Sequence, residues 1–457
     1  MFIAELRAAA LTLLLLGPLD ITAQATFVPT AAAPPSALDS IARLAISRNL
    51  GLRQVREVEK QSTLAVAQAR GLFLPTLGAE ARYSELSGAF DLGDAINPAY
   101  AALNQLIGRD QFPTNIHQTL PYKQETKLKS VLPLFNGALF ANLGAARAIR
   151  DLRGAERAAA TRRLDADARI AYLNYSRAAK AVDVWDAVLP VMAENQRVAE
   201  RLLNAGAITG DAVYRARAAK ADGDQQRADA VRVRDAAMGA LNLLLYRDPR
   251  EFVPVLDDAA LPEPRPLTLD QALLASQRRE ERLQATAGVD AARAQRRAAT
   301  ASFLPSVALA ADYGVQGSEY HFDTRHDAAM ASLVLSWNFF NGGQDAMRRQ
   351  QASSQRSAMA MRAVELDLQI ALDVRTAYDA MTVAQQSLTS ATARVEASKR
   401  AFTLVDKRFA EGLASHLEWS DARAQLTSSE LNLVMTKYAA AARVVDVERA
   451  AALRALP

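Results

Sequence analysis

The sequence contains the same ordered set of landmarks twice, and this internal duplication is the feature that most constrains the fold. Phe73-Leu74-Pro75-Thr76 recurs as Phe303-Leu304-Pro305-Ser306, and Phe135-Asn136-Gly137 recurs as Phe340-Asn341-Gly342. Further pairs are Ala171-Tyr172 with Ala377-Tyr378, Gly206 with Gly412, and Ala216-Arg217-Ala218 with Ala422-Arg423-Ala424. Repeated landmarks in one order indicate two copies of one structural unit. We place these copies at residues 26–247 and 269–457, joined by a proline-rich connector at 248–268.

The segments after the Phe-Asn-Gly landmarks carry a sustained hydrophobic period of 3.5 residues. In the second half, large residues occupy every seventh position, at Val374, Met381, Leu388, Val395, Phe402 and Phe409. Mostly small residues follow three positions after them. This period predicts coiled-coil helices. The two longest helices are predicted at about residues 138–203 and 343–410, and each is ~100 Å long at 1.5 Å per residue. Shorter helices are predicted at about 36–72, 211–247, 268–302 and 416–455.

Two shorter segments in each half alternate between apolar and polar residues. Leu77, Ala79, Ala81 and Tyr83 share one face, and Val307, Leu309, Ala311 and Tyr313 share the corresponding face of the second half. The second alternating segments have apolar residues at Leu128 and Leu132, and at Leu333, Leu335, Trp337 and Phe339. One apolar face with aromatic residues near its ends is typical of transmembrane barrel strands. Two soluble amphipathic hairpins are the alternative. Four strands cannot close a barrel, and open edges in lipid leave backbone groups unsatisfied. A membrane role would therefore require several copies of the chain.

Composition excludes several classes of protein. With no cysteine, the chain has no disulfide, thiolate zinc site or thiol nucleophile. The mean hydropathy is −0.06, and no apolar run reaches the ~18–20 residues of a spanning helix. The net charge is +4, and basic residues are interspersed with acidic ones, so we expect no nucleic-acid partner. Since phosphate-binding, zinc-protease and serine-hydrolase motifs are missing, we expect neither catalysis nor a cofactor.

Two segments leave more than one interpretation open. Arg7, the apolar run from Ala8 to Leu16 and Ala23-Gln24-Ala25 predict a signal peptide at residues 1–25, with a buried helix start as the alternative. A loop at about 88–122 either folds over an outer mouth or is a simple flexible loop. A metal is conceivable at His321, Asp323 and His326, but a solvated loop without metal is our expectation.

These features together resemble the TolC-type outer-membrane efflux proteins over nearly all of the mature sequence. The resemblance rests on the two Phe-Leu-Pro units with their strands, the two Phe-Asn-Gly exits into long helices, and the turns Arg201–Gly206 and Arg408–Gly412, each followed by Ala-Arg-Ala. It implies a mainly α fold with a small β part. Long antiparallel coiled-coil helices would form an α-barrel, and four strands per chain would contribute to a trimeric twelve-stranded transmembrane β-barrel.

The resemblance also implies function and partners. The protein would be a homotrimer in the outer membrane of a Gram-negative bacterium, in contact with outer-membrane lipid and extending into the periplasm. It would be a passive exit duct across periplasm and outer membrane, gated at its periplasmic end, in a tripartite efflux pump or a type I secretion system. It would bind a periplasmic adaptor (membrane fusion) protein and an inner-membrane transporter. A periplasmic coiled-coil scaffold without a pore is the alternative.

Site residues follow by position in the turn motifs. Glu418 and Asp421 match positions where the family places carboxylates around the periplasmic aperture, and a ring of carboxylates attracts cations. Asp211 and Arg215 lie at equivalent depth and could bridge to the second half. Exposed charge that favours a helix start is the alternative for all four. Phe409 and Ala414 stand where a gating Tyr and an Arg occur in the family.

The turns themselves are the expected adaptor-docking sites. Gly206 and Gly412 are predicted to end the long helices in the left-handed conformation that glycine permits. Thr209 and Ser415 are predicted to cap the helices that follow.

Overall fold

The computed structural model describes residues 36–85, 90–117, 119–120, 123–317 and 327–456. The predicted signal peptide at 1–25 and His321, Asp323 and His326 lie outside these residues. Helices dominate the described chain, which confirms the mainly α fold class with a small β part. The helices are α1 (Ala37–Arg48), α2 (Leu50–Gly71), α3 (Leu92–Ile107), α4 (Gly137–Asn204), α5 (Gly210–Leu244), α6 (Leu269–Ala275), α7 (Glu280–Ala301), α8 (Gln344–Ala410) and α9 (His416–Ala450). The strands are β1 (Thr76–Tyr83), β2 (Phe90–Asp91), β3 (Thr119–Leu120), β4 (Gln124–Asn136), β5 (Ser306–Gly317) and β6 (Asp327–Ser336).

The duplication recurs in helix lengths and boundaries. Helices α4 and α8 have 68 and 67 residues, so each is ~100 Å long. Helices α5 and α9 have 35 residues each, and α2 and α7 have 22 each. We call α4 with α5 the first helix pair, and α8 with α9 the second helix pair. Each long helix therefore packs along a shorter one that returns from the turn.

The helices predicted at 36–72 and 268–302 are each interrupted, and the uninterrupted prediction was wrong. Asn49 is extended, and its side-chain oxygen accepts a hydrogen bond from the Leu52 N–H at 2.8 Å, which starts α2 as a new helix. Arg279 is also extended and precedes α7. The two breaks are 230 residues apart, as are the Phe-Leu-Pro landmarks. The helix break thus occurs at the same place in both copies, although one copy has Asn49 there and the other has Arg279.

The returning helices also end alike, without glycine. Tyr246 has φ 51° and Ala452 has φ 52°. Behind them, the Arg247 N–H donates to the Asn242 carbonyl at 3.2 Å, and the Leu453 N–H donates to the Glu448 carbonyl at 3.0 Å. This is the Schellman arrangement that satisfies the last helical carbonyls. A residue with a Cβ in this conformation costs roughly 1–2 kcal/mol, which the hydrogen bonds behind it help to offset.

Four strands form one antiparallel sheet in the order β1-β4-β5-β6, which leaves β1 and β6 at its edges. The register aligns Leu77 with Ser130, Ser130 with Ala311, and Ala311 with Ala331. Because side chains alternate along a strand, the predicted apolar residues of all four strands lie on one face. A bulge lies between Pro133 and Phe135, where proline cannot donate to the ladder.

The two Phe-Asn-Gly exits differ in structure although their sequences match. Strand β4 ends at Asn136, whose side chain caps α4 by accepting from the Ala138 N–H at 2.9 Å. After β6, in contrast, residues 337–343 form an irregular segment with both Gly342 and Gly343 at positive φ. The extra glycine of the second copy thus accompanies a looser entry into its long helix.

The connector between α5 and α6 is irregular apart from a 3-10 turn at Asp258–Ala260, and tyrosines satisfy its backbone. The Tyr175 hydroxyl donates to the Val253 carbonyl at 2.7 Å, and the Tyr172 hydroxyl donates to the Pro254 carbonyl at 3.1 Å. Val253 and Leu256 are fully buried against α4, in the main hydrophobic core. The core therefore surrounds the connector and includes α1, α5 and α9.

A buried ion cluster joins distant parts of the chain beside this core. Arg169 of α4 is 2% exposed and pairs with Asp39 of α1, with Asp165 at 3.3 Å and with Glu448 of α9 at 3.3 Å. Arg454 donates to Asp39 at 2.6 Å. The cluster fixes the N-terminal helix, the first long helix and the C-terminal segment to each other.

The predicted loop at 88–122 contains a small folded unit in its described part. The Asn97 side chain donates to the Ile116 carbonyl at 2.8 Å and accepts from the Ile116 N–H at 2.9 Å. Asn104 holds Phe112 in the same way, at 2.7 Å and 2.8 Å. Two amides one heptad apart on α3 thus hold the returning segment, and a simple flexible loop does not describe residues 90–117.

Candidate functional sites

The two turns between long and returning helices have the same backbone geometry. Gly206 has φ 69° and Gly412 has φ 75°, so both adopt the predicted left-handed conformation. The Ala207 N–H donates to the Leu202 carbonyl at 2.9 Å, and the Leu413 N–H donates to the Arg408 carbonyl at 2.7 Å. Each turn is therefore a Schellman motif with its glycine at the position that disfavours a Cβ.

The helix starts after the turns differ. Ser415 and Glu418 form a reciprocal capping box, in which the Ser415 Oγ accepts from the Glu418 N–H at 3.2 Å and the Glu418 carboxylate accepts from the Ser415 N–H at 2.7 Å. Thr209 occupies the N-cap position of α5, but its side chain makes no capping hydrogen bond and donates instead to the Asp211 carboxylate. The predicted side-chain cap is therefore present at Ser415 and absent at Thr209.

The four predicted aperture residues lie at these helix starts. The backbone hydrogen bond from Ser415 holds the pKa of Glu418 below its usual range. Asp211 accepts from Arg215 at 2.8 Å within α5, and its hydrogen bonds with Thr209 and Arg215 lower its pKa. Arg215 is thus engaged within its own helix rather than with the second helix pair. Asp421 is exposed one turn into α9. Asp211 and Glu418 lie in the first turns of their helices, where negative charge also favours the helix dipole.

A groove of about 1090 Å³ separates the two helix pairs at the turns. We call it the turn groove. Apolar side chains of α4 form one wall, and Phe409, His416 and Trp419 of the second helix pair form the other. Charged residues from three helices line it as well, Glu194 of α4, Asp211 and Arg215 of α5, and Asp406 of α8, together with the N-cap Ser415 of α9.

Aromatic rings hold the second helix pair together beside this groove. Phe409 lies edge-on to His416 with ring centroids 6.1 Å apart and contacts Trp419 at 6.0 Å. The Trp419 Nε1–H donates to Asp406 at 2.7 Å. The Arg423 guanidinium lies 5.3 Å from the centroid of the Phe402 ring, a cation–π distance. Phe409 thus acts as a packing residue between α8 and α9.

One contact across the turn groove was not predicted from the sequence. The Nδ2 of Asn195 on α4 lies 3.1 Å from the Nε2 of His416 at the start of α9. The residues are 221 positions apart, and neither belongs to a recognisable motif. A single histidine next to the Ser415 cap was the only sequence signal.

The sheet presents a second candidate site, with chemically distinct faces. Leu77, Tyr83, Leu333 and Leu335 on the apolar face are 65–76% exposed. The opposite face carries three basic and three acidic side chains in contact with each other: Lys129 with Glu80 at 2.6 Å, Arg82 and Lys127 with Glu125, and Lys127 with Asp312 at 3.9 Å. The positive and negative charges of the polar face therefore balance each other within the chain.

Aromatic residues collect where the sheet meets the helices. Phe73 contacts Phe140 with centroids 5.0 Å apart, and Trp337 contacts Phe339 at 4.5 Å. Phe339 and Phe340 are 80% and 81% exposed. Exposed aromatics at the end of an apolar strand face are typical of a membrane–water boundary. In the described residues, no helix is long and apolar enough to cross a membrane, and no cluster of His, Asp and Glu has metal-binding geometry.

Comparison with known proteins confirms the resemblance seen in the sequence. Residues 272–452 match the family described as outer membrane efflux protein. The fold matches the outer membrane protein VceC from Vibrio cholerae with a TM-score of 0.75 at 19% identity, covering 91% of this chain and 95% of that one. It matches the Neisseria gonorrhoeae MtrE outer membrane channel, solved in an open state, with a TM-score of 0.73 at 22% identity, over 91% and 88% of the two chains.

A third similar structure is the Campylobacter jejuni CmeC outer membrane channel, with a TM-score of 0.74 at 15% identity, over 91% and 85% of the chains. No curated protein sequence matches the chain significantly. Residues 272–452 thus match the outer membrane efflux protein family by sequence, and the chain has the fold of the three channels over most of its length.

Proposed function

We propose that this chain, whose residues 272–452 match the outer membrane efflux protein family, is one subunit of a homotrimeric outer-membrane exit channel. The observation that carries the proposal is the sheet, which exposes an apolar face, places compensated charges on the other face, and has β1 and β6 at its edges. In lipid these edges must be paired. Pairing β6 of one copy with β1 of the next closes twelve strands from three copies, with the apolar face toward lipid and the charged face toward a water-filled lumen.

The long helices support the same assembly. On α8 the apolar residues Met361, Val364, Leu368 and Leu372 are 63–71% exposed in the single chain. A row at this spacing lies on one side of a helix, and its burial is favourable at about 25 cal/mol per Å². A neighbouring copy along α8 would bury it and continue the helical wall into the periplasm.

Function and partners follow from this arrangement. The channel is a passive duct of a tripartite efflux pump or a type I secretion system, and the energy comes from an inner-membrane transporter. A periplasmic adaptor docks at the turns around Gly206, Thr209, Gly412 and Ser415. Asp211, Arg215, Glu418 and Asp421 border the periplasmic aperture. The resemblance and the shared turn geometry support these assignments.

Conductance in a planar lipid bilayer tests the proposal directly. The purified protein is expected to be a trimer by light scattering in detergent and to produce discrete conductance steps. Because the chain has no cysteine, a double variant with Ala79→Cys on β1 and Ala331→Cys on β6 has its only two thiols at the proposed seam. A short bis-maleimide should link this double variant into covalent trimers. Each single variant is the control. A monomer without conductance would refute the channel and favour the periplasmic scaffold.

A further inference from the structure

The Asn195–His416 contact joins the two helix pairs at the end where the proposed channel would open. In the described residues, the other side-chain hydrogen bonds between these helices or their C-terminal extension are made by Arg162 and Arg169, which lie near the connector. The 3.1 Å contact of Asn195 with His416 thus bridges the turn groove far along α4 from those bonds. Its loss would remove the side-chain hydrogen bond that joins the two helix pairs at that end.

The placement of the amide matches a neutral ring. With Nδ2 of Asn195 as the donor, the ring Nε2 accepts, as it does in a neutral imidazole with its proton on Nδ1. A protonated ring has donors at both nitrogens. Rotation of the amide can restore one hydrogen bond, but the positive charge then remains in a half-buried groove.

The carboxylates around the ring each already accept hydrogen bonds from other groups. Glu194 of α4 contacts Arg197 at 2.6 Å and Arg201 at 3.2 Å, and Asp211 of α5 is occupied by Thr209 and Arg215. Asp406 of α8 accepts from Trp419, and Glu418 on the histidine's own helix turns back to Ser415. The Arg215 guanidinium opposes a second positive charge in the groove.

We propose that His416 makes the turn groove proton-sensitive: the neutral ring holds α9 against α4, and its protonation loosens this contact and widens the groove. Control of a channel opening by this contact rests on the proposed function, whereas the contact itself does not.

The pH direction follows from the surroundings of the ring. Burial first, and the Arg215 charge second, lower the pKa of His416, while Asp211 opposes them. The pKa of the ring is lower when it contacts Asn195 (the closed arrangement) than when the groove is widened (the open arrangement). The neutral ring therefore stabilises the closed arrangement. The contact is therefore complete above about pH 6.5, the usual histidine value. It weakens as the pH falls below that value, because the open arrangement takes up the proton more readily.

Spin labels can measure the groove directly, since the chain has no native cysteine. Asn204→Cys at the end of α4 and Ala424→Cys on α9 are at exposed positions, one in each helix pair. Labelled protein is diluted with unlabelled protein so that distances within one chain dominate. The distance between labels is expected to increase from pH 8 to pH 5, and conductance is recorded on the same preparations.

Three variants separate protonation from other effects of pH. His416→Gln removes the titrating ring and keeps an amide oxygen as acceptor, so the distance should stay near the pH 8 value at both pH values. His416→Lys carries a permanent charge and should give the longer distance at both. Asn195→Asp places a carboxylate opposite the ring, which should retain the shorter distance at pH 5. His117→Gln, in the separate α3 unit, is the matched control and should behave as the unchanged protein.

The outcomes distinguish this inference from the channel proposal. A label distance that is the same at pH 8 and pH 5, or a pH shift that persists in His416→Gln, would overturn the inference. If such a protein still conducts, the channel proposal stands. A protein that shows the His416-dependent shift without conductance would support the inference and contradict the channel.

Discussion

The two helix starts after the turns provide an internal comparison for the energy of a side-chain cap. Ser415 caps α9 with a reciprocal bond to Glu418, whereas Thr209 at the equivalent position of α5 makes no cap. We therefore expect Ser415→Ala to weaken the first turn of α9 and Thr209→Ala to leave the first turn of α5 nearly unchanged.

The magnitude follows from the bonds that are lost. Ser415→Ala removes the acceptor 3.2 Å from the Glu418 N–H, and removal of a serine cap costs about 1 kcal/mol. Since 1.4 kcal/mol corresponds to a factor of ten, the local opening constant should rise about fivefold. Thr209→Ala removes a hydroxyl that bonds only the neighbouring Asp211 side chain, so the change should stay within a few tenths of a kcal/mol.

Hydrogen exchange resolved to short peptides measures both sites in one experiment, because exchange from the native state reports local opening. The peptide spanning 413–421 should exchange about fivefold faster in Ser415→Ala, and the peptide spanning 207–215 should keep its rate in Thr209→Ala. Glu418→Gln retains a side-chain acceptor and should fall between the unchanged protein and Ser415→Ala. Equal acceleration at the two sites, or none at Ser415, would refute the reasoning.

Three further perturbations test other parts of the structure. The double variant Glu418→Ala, Asp421→Ala should lower the cation-over-anion permeability ratio about two- to fivefold in a planar bilayer. The reason is that each charge ~10 Å from an ion contributes about 0.4 kcal/mol before screening by salt. An unchanged ratio contradicts the aperture role. Arg169→Met removes the buried guanidinium that Asp39, Asp165 and Glu448 share, while Arg454 still pairs with Asp39 and Arg265 with Glu448. It should cost about 3 kcal/mol in chemical unfolding, against less than about 1 kcal/mol for the exposed Arg163→Met. Equal losses would refute the importance of the cluster. Gly314→Ala places a Cβ 2.0 Å from the Thr126 carbonyl oxygen and should destabilise the sheet by about 1–3 kcal/mol in thermal unfolding, whereas Gly78→Ala meets open space and should have little effect. Equal effects of the two variants would contradict the close approach of β4 and β5.

Features set by local sequence were predicted well. The 3.5-residue period identified the long helices, because it reflects which side of a helix meets its neighbour. Gly206 and Gly412 marked the turns, because glycine adopts positive φ without a steric cost. Alternation placed the apolar residues of four strands on one face, because side chains alternate in any strand.

Features set by tertiary contacts were missed or wrong. The helix breaks at Asn49 and Arg279 occupy equivalent positions with unrelated residues, and Tyr246 and Ala452 adopt a conformation that their own preferences oppose. The two Phe-Asn-Gly motifs differ in structure where the second copy has an additional glycine, Gly343. The helix breaks and the left-handed helix ends do not follow from the preferences of the residues that form them.

The sequence alone therefore determined the duplication, the helix periods, the turns and the alternating faces, since each is encoded by residues within a few positions of each other. The tertiary structure alone decided which side chain caps, which ions are buried around Arg169, and that Asn195 meets His416 across 221 residues. Such contacts depend on where two long helices come together in space. A hydrogen bond is sensitive to displacements of about half an ångström, which no sequence period specifies.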